Sequence, residues 1–481
     1  MPNDQPRDKG GNKGGRSRWN RNRHRSHNNN SGPKLPMLAP EVPVYDEHQL
    51  STLLTSELQA IAKAEGVRQY WCTPRETLMV EIIKQTLRRG AEVHMEGVVQ
   101  TTPEFHGYIR SAEHHFQERP SDPFLPVQLM RKYNIQSGNS IRGKLRQPRG
   151  GDRQLVMNEI LEVEGQVIEQ EVGENGEVKV KLEEVKRTPF EQLTAIFPDK
   201  RLFMEIAGDK TDMTRRVIDL ITPIGMGQRG LIVAPPRVGK TVMMKKMIQS
   251  IEINHPEVVV IVLLIDERPE EVTDLRDSVQ ARIVASTFDE KPQAHIQAAN
   301  MALSHAKVLV EKGQDVVLFV DSITRLTRAF NHSGGSQGRL MSGGIDTASL
   351  QKVKQFLGTA RNIENGGSLT ILGTTLVDTG SRMDQVIFEE FKGTGNMDLY
   401  LDRELAAQRI YPAVNIPRSG TRKDELLMPK DEYEILTGVR KTLGSMIPKD
   451  AVVNLIDKLS KTGSNAEFLM GIRNSVNQSI F

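Results

Sequence analysis

Residues Gly230 to Thr241 read Gly-Leu-Ile-Val-Ala-Pro-Pro-Arg-Val-Gly-Lys-Thr. A β-branched run enters a turn that closes on Gly-Lys-Thr, and a helix-like stretch from Val242 to Ile251 follows. No other feature constrains the fold as much, because strand, Gly-Lys-Thr loop and helix in that order are the frame of a phosphate-binding loop. The residues expected around the phosphates are Pro236, Arg237, Val238, Gly239, Lys240, Thr241 and Val242. Backbone N–H groups and the helix N-terminus attract the anion. Lys240 can reach β- and γ-phosphate oxygens, and Thr241 can ligate Mg²⁺. Ala234 stands where the general pattern has a glycine, which requires that the backbone there not take a positive φ. A Pro-rich turn with an incidental Gly-Lys-Thr is the plain alternative; the flanking strand and helix disfavour it.

The 481 residues suit two or three domains. Charged residues make up 26%, and no apolar run approaches a membrane span or a signal-peptide core, so a cytoplasmic protein without membrane contact is expected. The single cysteine, Cys72, excludes an intramolecular disulfide framework. Net charge is only +3, but residues 7–34 carry a run of Arg and Lys against one acid, Asp8.

Residues 1–45 form a basic Asn/Arg/Gly-rich arm with too little apolar content to fold. It fits either an attractor of phosphate backbones or a solubilising tail. Residues 46–92 read as a small helical bundle. Leu50, Leu53, Leu54, Leu58 and Ile61 recur at helical spacing, and Thr73-Pro-Arg-Glu76 reads as a capping box. Trp71 and Cys72 are expected to pack inside it. Residues 93–162 carry short strands at Glu96–Thr101, Gly107–Arg110, Ser140–Leu145 and Gln154–Leu161, as in a small OB-type β-barrel. Cations that include Arg110, Arg142, Lys144, Arg146 and Arg153 are interleaved with Phe105, Tyr108, Phe116, Phe124 and Tyr133. That mixture suits single-stranded RNA, with rings for bases and cations for phosphates; filling of the barrel interior is the alternative for each ring. Residues 163–201 are an acidic connector with a hairpin signal at Gly173-Glu-Asn-Gly176. From residue 202 to 481, strand-like and helix-like segments alternate, as in a parallel-sheet α/β core. The fold class expected is thus multidomain, α+β and then α/β.

Two apolar strands in the second half end in acids: Val258–Ile265 before Asp266-Glu267-Arg268, and Val316–Val320 before Asp321-Ser322. Ligands bind at the carboxyl ends of parallel strands. Asp321 is therefore the expected Mg²⁺-associated acid, and Glu267 the group that positions or deprotonates water.

Beyond these, the chain carries Leu263-Leu-Ile-Asp-Glu-Arg-Pro-Glu-Glu-Val-Thr273, Val284-Ala-Ser-Thr-Phe-Asp289, Asp321-Ser-Ile-Thr-Arg325, Phe391-Lys-Gly-Thr-Gly-Asn396 and Arg418-Ser-Gly-Thr-Arg-Lys423. With the phosphate loop, this set resembles the bacterial transcription termination factor Rho family from about residue 46 to Leu427. The family also has alanine at the position of Ala234. The resemblance implies a RecA-like ATPase core in a homohexameric ring. It further implies hydrolysis of ATP with Mg²⁺, 5′→3′ movement along RNA, and release of transcripts from RNA polymerase. It assigns Glu267 as catalytic glutamate, Arg268 as an arginine near the γ-phosphate, Arg422 as an arginine finger from the neighbouring subunit, and Tyr411 as the aromatic that packs on adenine. Residues 331–344 resemble a pore loop with Arg339 where a lysine can stand, and Asp378-Thr-Gly-Ser-Arg382 resembles a second, with Arg382 in place of lysine. His106-Gly-Tyr-Ile-Arg110 lies where the family carries Phe-Gly-Phe-Leu-Arg. With Phe124 and Arg153 it would form the primary RNA site. Phe124 replaces an expected Tyr, and Gln154 another aromatic.

Two other readings compete. A rotary ATPase subunit shares the core and the ring but needs no basic, aromatic barrel. A non-catalytic RNA-binding protein would not need Lys240, Glu267, Asp321 and Arg422 together.

Overall fold

The computed structural model describes residues 45, 47–103, 105–172, 178–181, 188–334 and 343–478. Most of the basic arm, the tip of the 173–176 hairpin and the loop residue Arg339 lie outside the described residues.

Helices Glu47–Thr52, Thr55–Ala64 and Arg75–Arg88 bring Leu50, Leu58 and Ala62 against Leu78, Ile82, Ile83 and Leu87. Leu54 leaves the expected stripe. It starts the second helix, its N–H donates to the Glu57 carboxylate at 2.6 Å, and its side chain is 68% exposed. The Thr73–Glu76 capping box does not form. The Thr73 hydroxyl donates to Gln69 O (2.9 Å), and Glu76 instead accepts from Arg119 (2.7 Å). Trp71 and Cys72, expected inside, are outside. Trp71 is 66% exposed, edge-on to Tyr70 with ring centroids 5.3 Å apart, and Cys72 is exposed too. Both lie in a turn, where no periodicity says which way a side chain points.

The barrel is an antiparallel sheet. From one edge, Phe124–Leu125 pairs Gly107–Arg110, then come His94–Thr101, Ser140–Leu145, Met157–Val163 and Gln166–Val167. It closes on itself through a bridge between Phe124 and Val156, with Phe124 N–H on Leu155 O at 2.8 Å. Its interior residues Val99, Ile109, Ile141 and Ile160 share one apolar cluster with the three helices. The expected hairpin in the connector is present as Glu169–Val172 paired with Val178–Lys181.

The second half is RecA-like. Six parallel strands run in the order Arg282–Thr287, Val259–Glu267, Asp315–Asp321, Ser368–Leu376, Arg229–Ala234, Met397–Tyr400, and Gly420–Thr421 adds antiparallel at the edge. Strands buried on both faces need apolar residues at successive positions. Accordingly Ile232, Val262 and Phe319 face one cluster, and Leu231, Val233, Leu263 and Val320 face the other. Gly373 lets the helix Ile323–Ser333 lie close on the sheet, since a Cβ there would come within 2.0 Å of Ile323 Cδ1. This places the helix that follows Asp321 over the phosphate-loop strand's neighbour.

Barrel and core meet directly. Val98 and Phe116 belong to an apolar cluster of the ATPase core, His305 Nδ1 lies 3.0 Å from Gly138 O, and Gln297 donates to Phe116 O at 2.8 Å. Phe116 is therefore a docking residue rather than a ring for RNA, and Tyr133 is buried within the barrel.

Candidate nucleotide site and RNA-facing surface

The strand Arg229–Ala234 delivers the chain into the loop 235–239, and the helix Lys240–Asn254 leaves it. Ala234 ends a strand and is absent from the positive-φ residues, as its side chain requires. The left-handed turns fall instead at Arg237 (φ 66°) and Gly239 (φ 85°). Pro236, Arg237 and Val242 are exposed, whereas Val238 is buried and anchors the loop to the core.

Lys240 Nζ donates to both oxygens of Asp321 (2.5 and 2.6 Å) and reaches Glu267 Oε1 at 3.4 Å. Burial works against the lysine's charge, but Asp321 and Glu267 more than offset it and hold its pKa above the ordinary value. Glu267 is 4% exposed. Burial, reinforced by Asp321, raises its pKa although Lys240 and Arg325 pull the other way. A raised pKa makes a carboxylate a stronger base. Thr374 donates to Asp321 Oδ1 at 2.6 Å and fixes its orientation. Thr241, the next residue of the loop helix, is half-buried.

Tyr411 joins this group from far along the chain. A Cβ added at Gly239 would lie 3.6 Å from its ring, and the ring is 48% exposed. Its exposed surface beside the phosphate loop can stack on a base. Arg268 follows Glu267 directly and is exposed, with no partner for its guanidinium among the described residues. Arg422 lies at the sheet edge, also exposed, its N–H bonded to Asn396 O at 2.9 Å.

Arg325 had no role in the sequence reading. It lies in the first turn of the helix Ile323–Ser333, and its guanidinium contacts Glu267 Oε1 (3.1 Å) and Asp266 O. Its spacing from Asp321 gave no signal, because Asp321 ends a strand and Arg325 belongs to the helix that begins at Ile323.

The loop at 378–382 is held from behind. Arg328 grips Asp384 through three bonds of 2.6 to 3.0 Å, and Thr379 donates to Asp384 at 2.6 Å. Arg382 opens the next helix and is exposed. A cation at a helix N-terminus is disfavoured by the helix dipole, so helix stability does not account for it.

On the barrel, Tyr108 and Phe124 face each other across paired strands with centroids 5.9 Å apart, and His106 lies 5.3 Å from Phe124. His106 is exposed and the other two rings half-buried. Arg153 is exposed two residues before the Phe124–Leu155 bond. Arg110 is not the free cation the sequence suggested. It is 4% exposed, ion-paired with Asp122 and bonded to Gln100 (2.6 Å), and its guanidinium lies 5.0 Å from the Tyr108 ring. Burial pushes Asp122 up to about 6 even against Arg110. Arg142, Lys144 and Arg146 are likewise paired, with Glu162, Glu92 and Asp152. The free cationic surface of the barrel is correspondingly smaller than its composition implies.

Two family profiles match this chain. The ATP synthase alpha/beta family, nucleotide-binding domain, matches residues 214–421, and the Rho termination factor, RNA-binding domain, matches residues 95–169. Among curated proteins, the transcription termination factor Rho of Pseudomonas aeruginosa is 45% identical over 414 residues, covering 86% of this chain and 96% of that protein. That of Aquifex aeolicus is 43% identical over 432 residues (89% and 96%), and that of Rhodopirellula baltica 41% over 429 residues (88% and 80%). Among solved structures, an ATPase from the type III secretion system of pathogenic bacteria aligns with a TM-score of 0.48 at 21% identity, over 59% of this chain and 86% of that one.

Proposed function

The chain belongs to the transcription termination factor Rho family, and from that premise we propose that it is an ATP-driven 5′→3′ RNA helicase working as a homohexameric ring in the cytoplasm. It binds nascent single-stranded RNA and terminates transcription by releasing transcripts from RNA polymerase. The observation that carries the reading is Lys240, bonded to Asp321 and reaching Glu267 where three buried elements converge, with the Tyr411 ring against the same loop.

The chemistry follows from that grouping. A triphosphate entering the loop competes with Asp321 for Lys240, so binding moves the ammonium from carboxylate to phosphate. Asp321 and the Thr241 hydroxyl are hard oxygen donors that fit Mg²⁺, whose charge would offset the phosphates. Glu267, buried and more basic than an ordinary carboxylate, orients the attacking water and accepts its proton. Arg325 holds the Glu267 carboxylate in place. Arg268 and, from the neighbouring subunit, Arg422 stabilise charge on the γ-phosphate. Tyr411 stacks on adenine.

RNA is captured on His106, Tyr108 and Phe124 of the 93–162 barrel, with Arg110 and Arg153 beside the rings. Arg382 and Arg339 meet the phosphates in the pore. The 46–92 helices brace the barrel, the 163–201 connector links it to the 202–481 motor, and the 1–45 arm adds unspecific charge. Among the described residues no helix is long and apolar enough to cross a membrane.

ATP hydrolysis with and without pyrimidine-rich single-stranded RNA tests this reading. RNA should stimulate turnover; equal rates with and without it would favour a rotary-type ATPase instead.

A further inference from the structure

The strands Met397–Tyr400 and Gly420–Thr421 pair antiparallel, with Asp398 opposite Gly420, and Arg422 N–H bonds Asn396 O just beyond. Residues two apart share a face of a strand. Asp398 and Arg422 are therefore diagonal neighbours on one face, a separation that long side chains span. Asp398 is half-buried, and its Oδ1 is buried without a hydrogen-bond partner. A buried carboxylate oxygen left unpaired is costly and calls for a cation.

Two cations act on Asp398, Arg422 first and then Lys392, and a third, Arg229, lies close to Arg422. Arg229, on the adjoining strand, donates to Ala360 O at 3.3 Å. Lys392, in the last turn of its helix, lies 6.0 Å over the Phe388 ring. Arg422 and Lys392 are both exposed and neither side chain makes a hydrogen bond or ion pair among the described residues, but Lys392 lies over an aromatic ring, whereas Arg422 does not and is the cation that acts most on Asp398. Between the two lies Gly420, where a Cβ would meet nothing within 4 Å, so there is room for a guanidinium over it.

We propose that Asp398 is a positioning residue for Arg422: its carboxylate takes one edge of the guanidinium and leaves the other edge for the γ-phosphate bound by the neighbouring subunit. A planar guanidinium has donors on separate edges, so the two contacts do not compete. Fixing one edge also limits the rotamers the side chain must give up when it meets phosphate. The inference rests on Arg422 acting in trans.

Mixed rings separate the two claims. Arg422→Ala mixed with Glu267→Gln should recover activity, because one kind of interface retains both groups; no recovery overturns the trans role and this inference together. Asp398→Asn keeps the shape of the side chain and weakens the anchor. Its RNA-stimulated kcat should fall roughly tenfold, the scale for a lost charge-assisted bond felt in the transition state, with ATP affinity and ring assembly unchanged. Asp398→Ser serves as the second variant should the first fail to assemble, and Asp398→Glu should keep most of the rate. Asp398→Asn should be rescued by Glu267→Gln, which donates an intact Arg422, but not by Arg422→Ala. A wild-type rate for Asp398→Asn, failure of rescue by Glu267→Gln, or equal rescue by both partners would overturn the proposal while leaving the role of Arg422 standing.

Discussion

Lys240 Nζ lies 2.6 Å from Asp321 Oδ2, so the lysine proposed to meet phosphate is already paired with the acid proposed to hold the metal ion. The pair keeps two buried carboxylates, Asp321 and Glu267, compensated until a triphosphate takes the lysine over. Lys240→Ala should therefore do more than abolish nucleotide binding. Breaking a buried pair from one side costs about 3–5 kcal/mol. Urea unfolding without nucleotide should show a loss of that order, and an unchanged midpoint would mean that the pair does not matter before ATP binds.

Glu267→Gln should bind ATP normally and turn it over at least roughly a hundredfold more slowly, the scale of a lost general base. Glu267 acts ionised, and its pKa is raised by burial and by Asp321. The wild-type rate should accordingly climb with pH through a window above the ordinary glutamate value, where the carboxylate loses its proton. In the glutamine variant that limb should vanish. A pH–rate profile of the same shape in both proteins would assign the base elsewhere.

Tyr411→Ala should raise KM for ATP about tenfold with little change in kcat, because stacking is worth on the order of 1–1.5 kcal/mol and serves ground state and transition state alike. Tyr411→Phe should retain wild-type kinetics. Equal KM values in all three proteins would remove the ring from the base pocket.

Tyr108→Ala should weaken capture of long single-stranded RNA by roughly ten- to a hundredfold, from about 1–3 kcal/mol per stacked base. Turnover at saturating RNA should hold. Arg382→Ala should show the reverse, with near-normal capture and poor stimulation of hydrolysis. Affinity and stimulated turnover measured on both variants decide the matter; matching defects would collapse the two RNA sites into one.

The grouping at the candidate nucleotide site was readable because its residues sit at strand ends, where a run of β-branched residues and an acid mark both the element and the edge at which it stops. Glu267, Asp321 and Lys240 converge as that logic requires. Arg325 and Thr374 escaped because their roles depend on where a helix and a neighbouring strand bring them, which spacing alone does not fix. The barrel strands were legible, yet the fate of single side chains was not. Trp71 points out and Phe116 points in, and neither belongs to a periodic pattern that could tell them apart. Arg110 looked like any other cation until Asp122, twelve residues on, folded against it. Arg339, most of the arm and the tip of the 173–176 hairpin lie outside the described residues.

Phe116 leaves the barrel and completes an apolar cluster of the motor, with His305 against Gly138 beside it. Barrel and ATPase core are thus packed as one unit. A foreign barrel grafted at the connector would arrive without the side chain that fills the motor's core, and the recipient would be left with a cavity. If the rings at 106, 108 and 124 meet RNA as proposed, changes there can alter which RNA is preferred, while the segment around Phe116 answers to the fold of the ATPase.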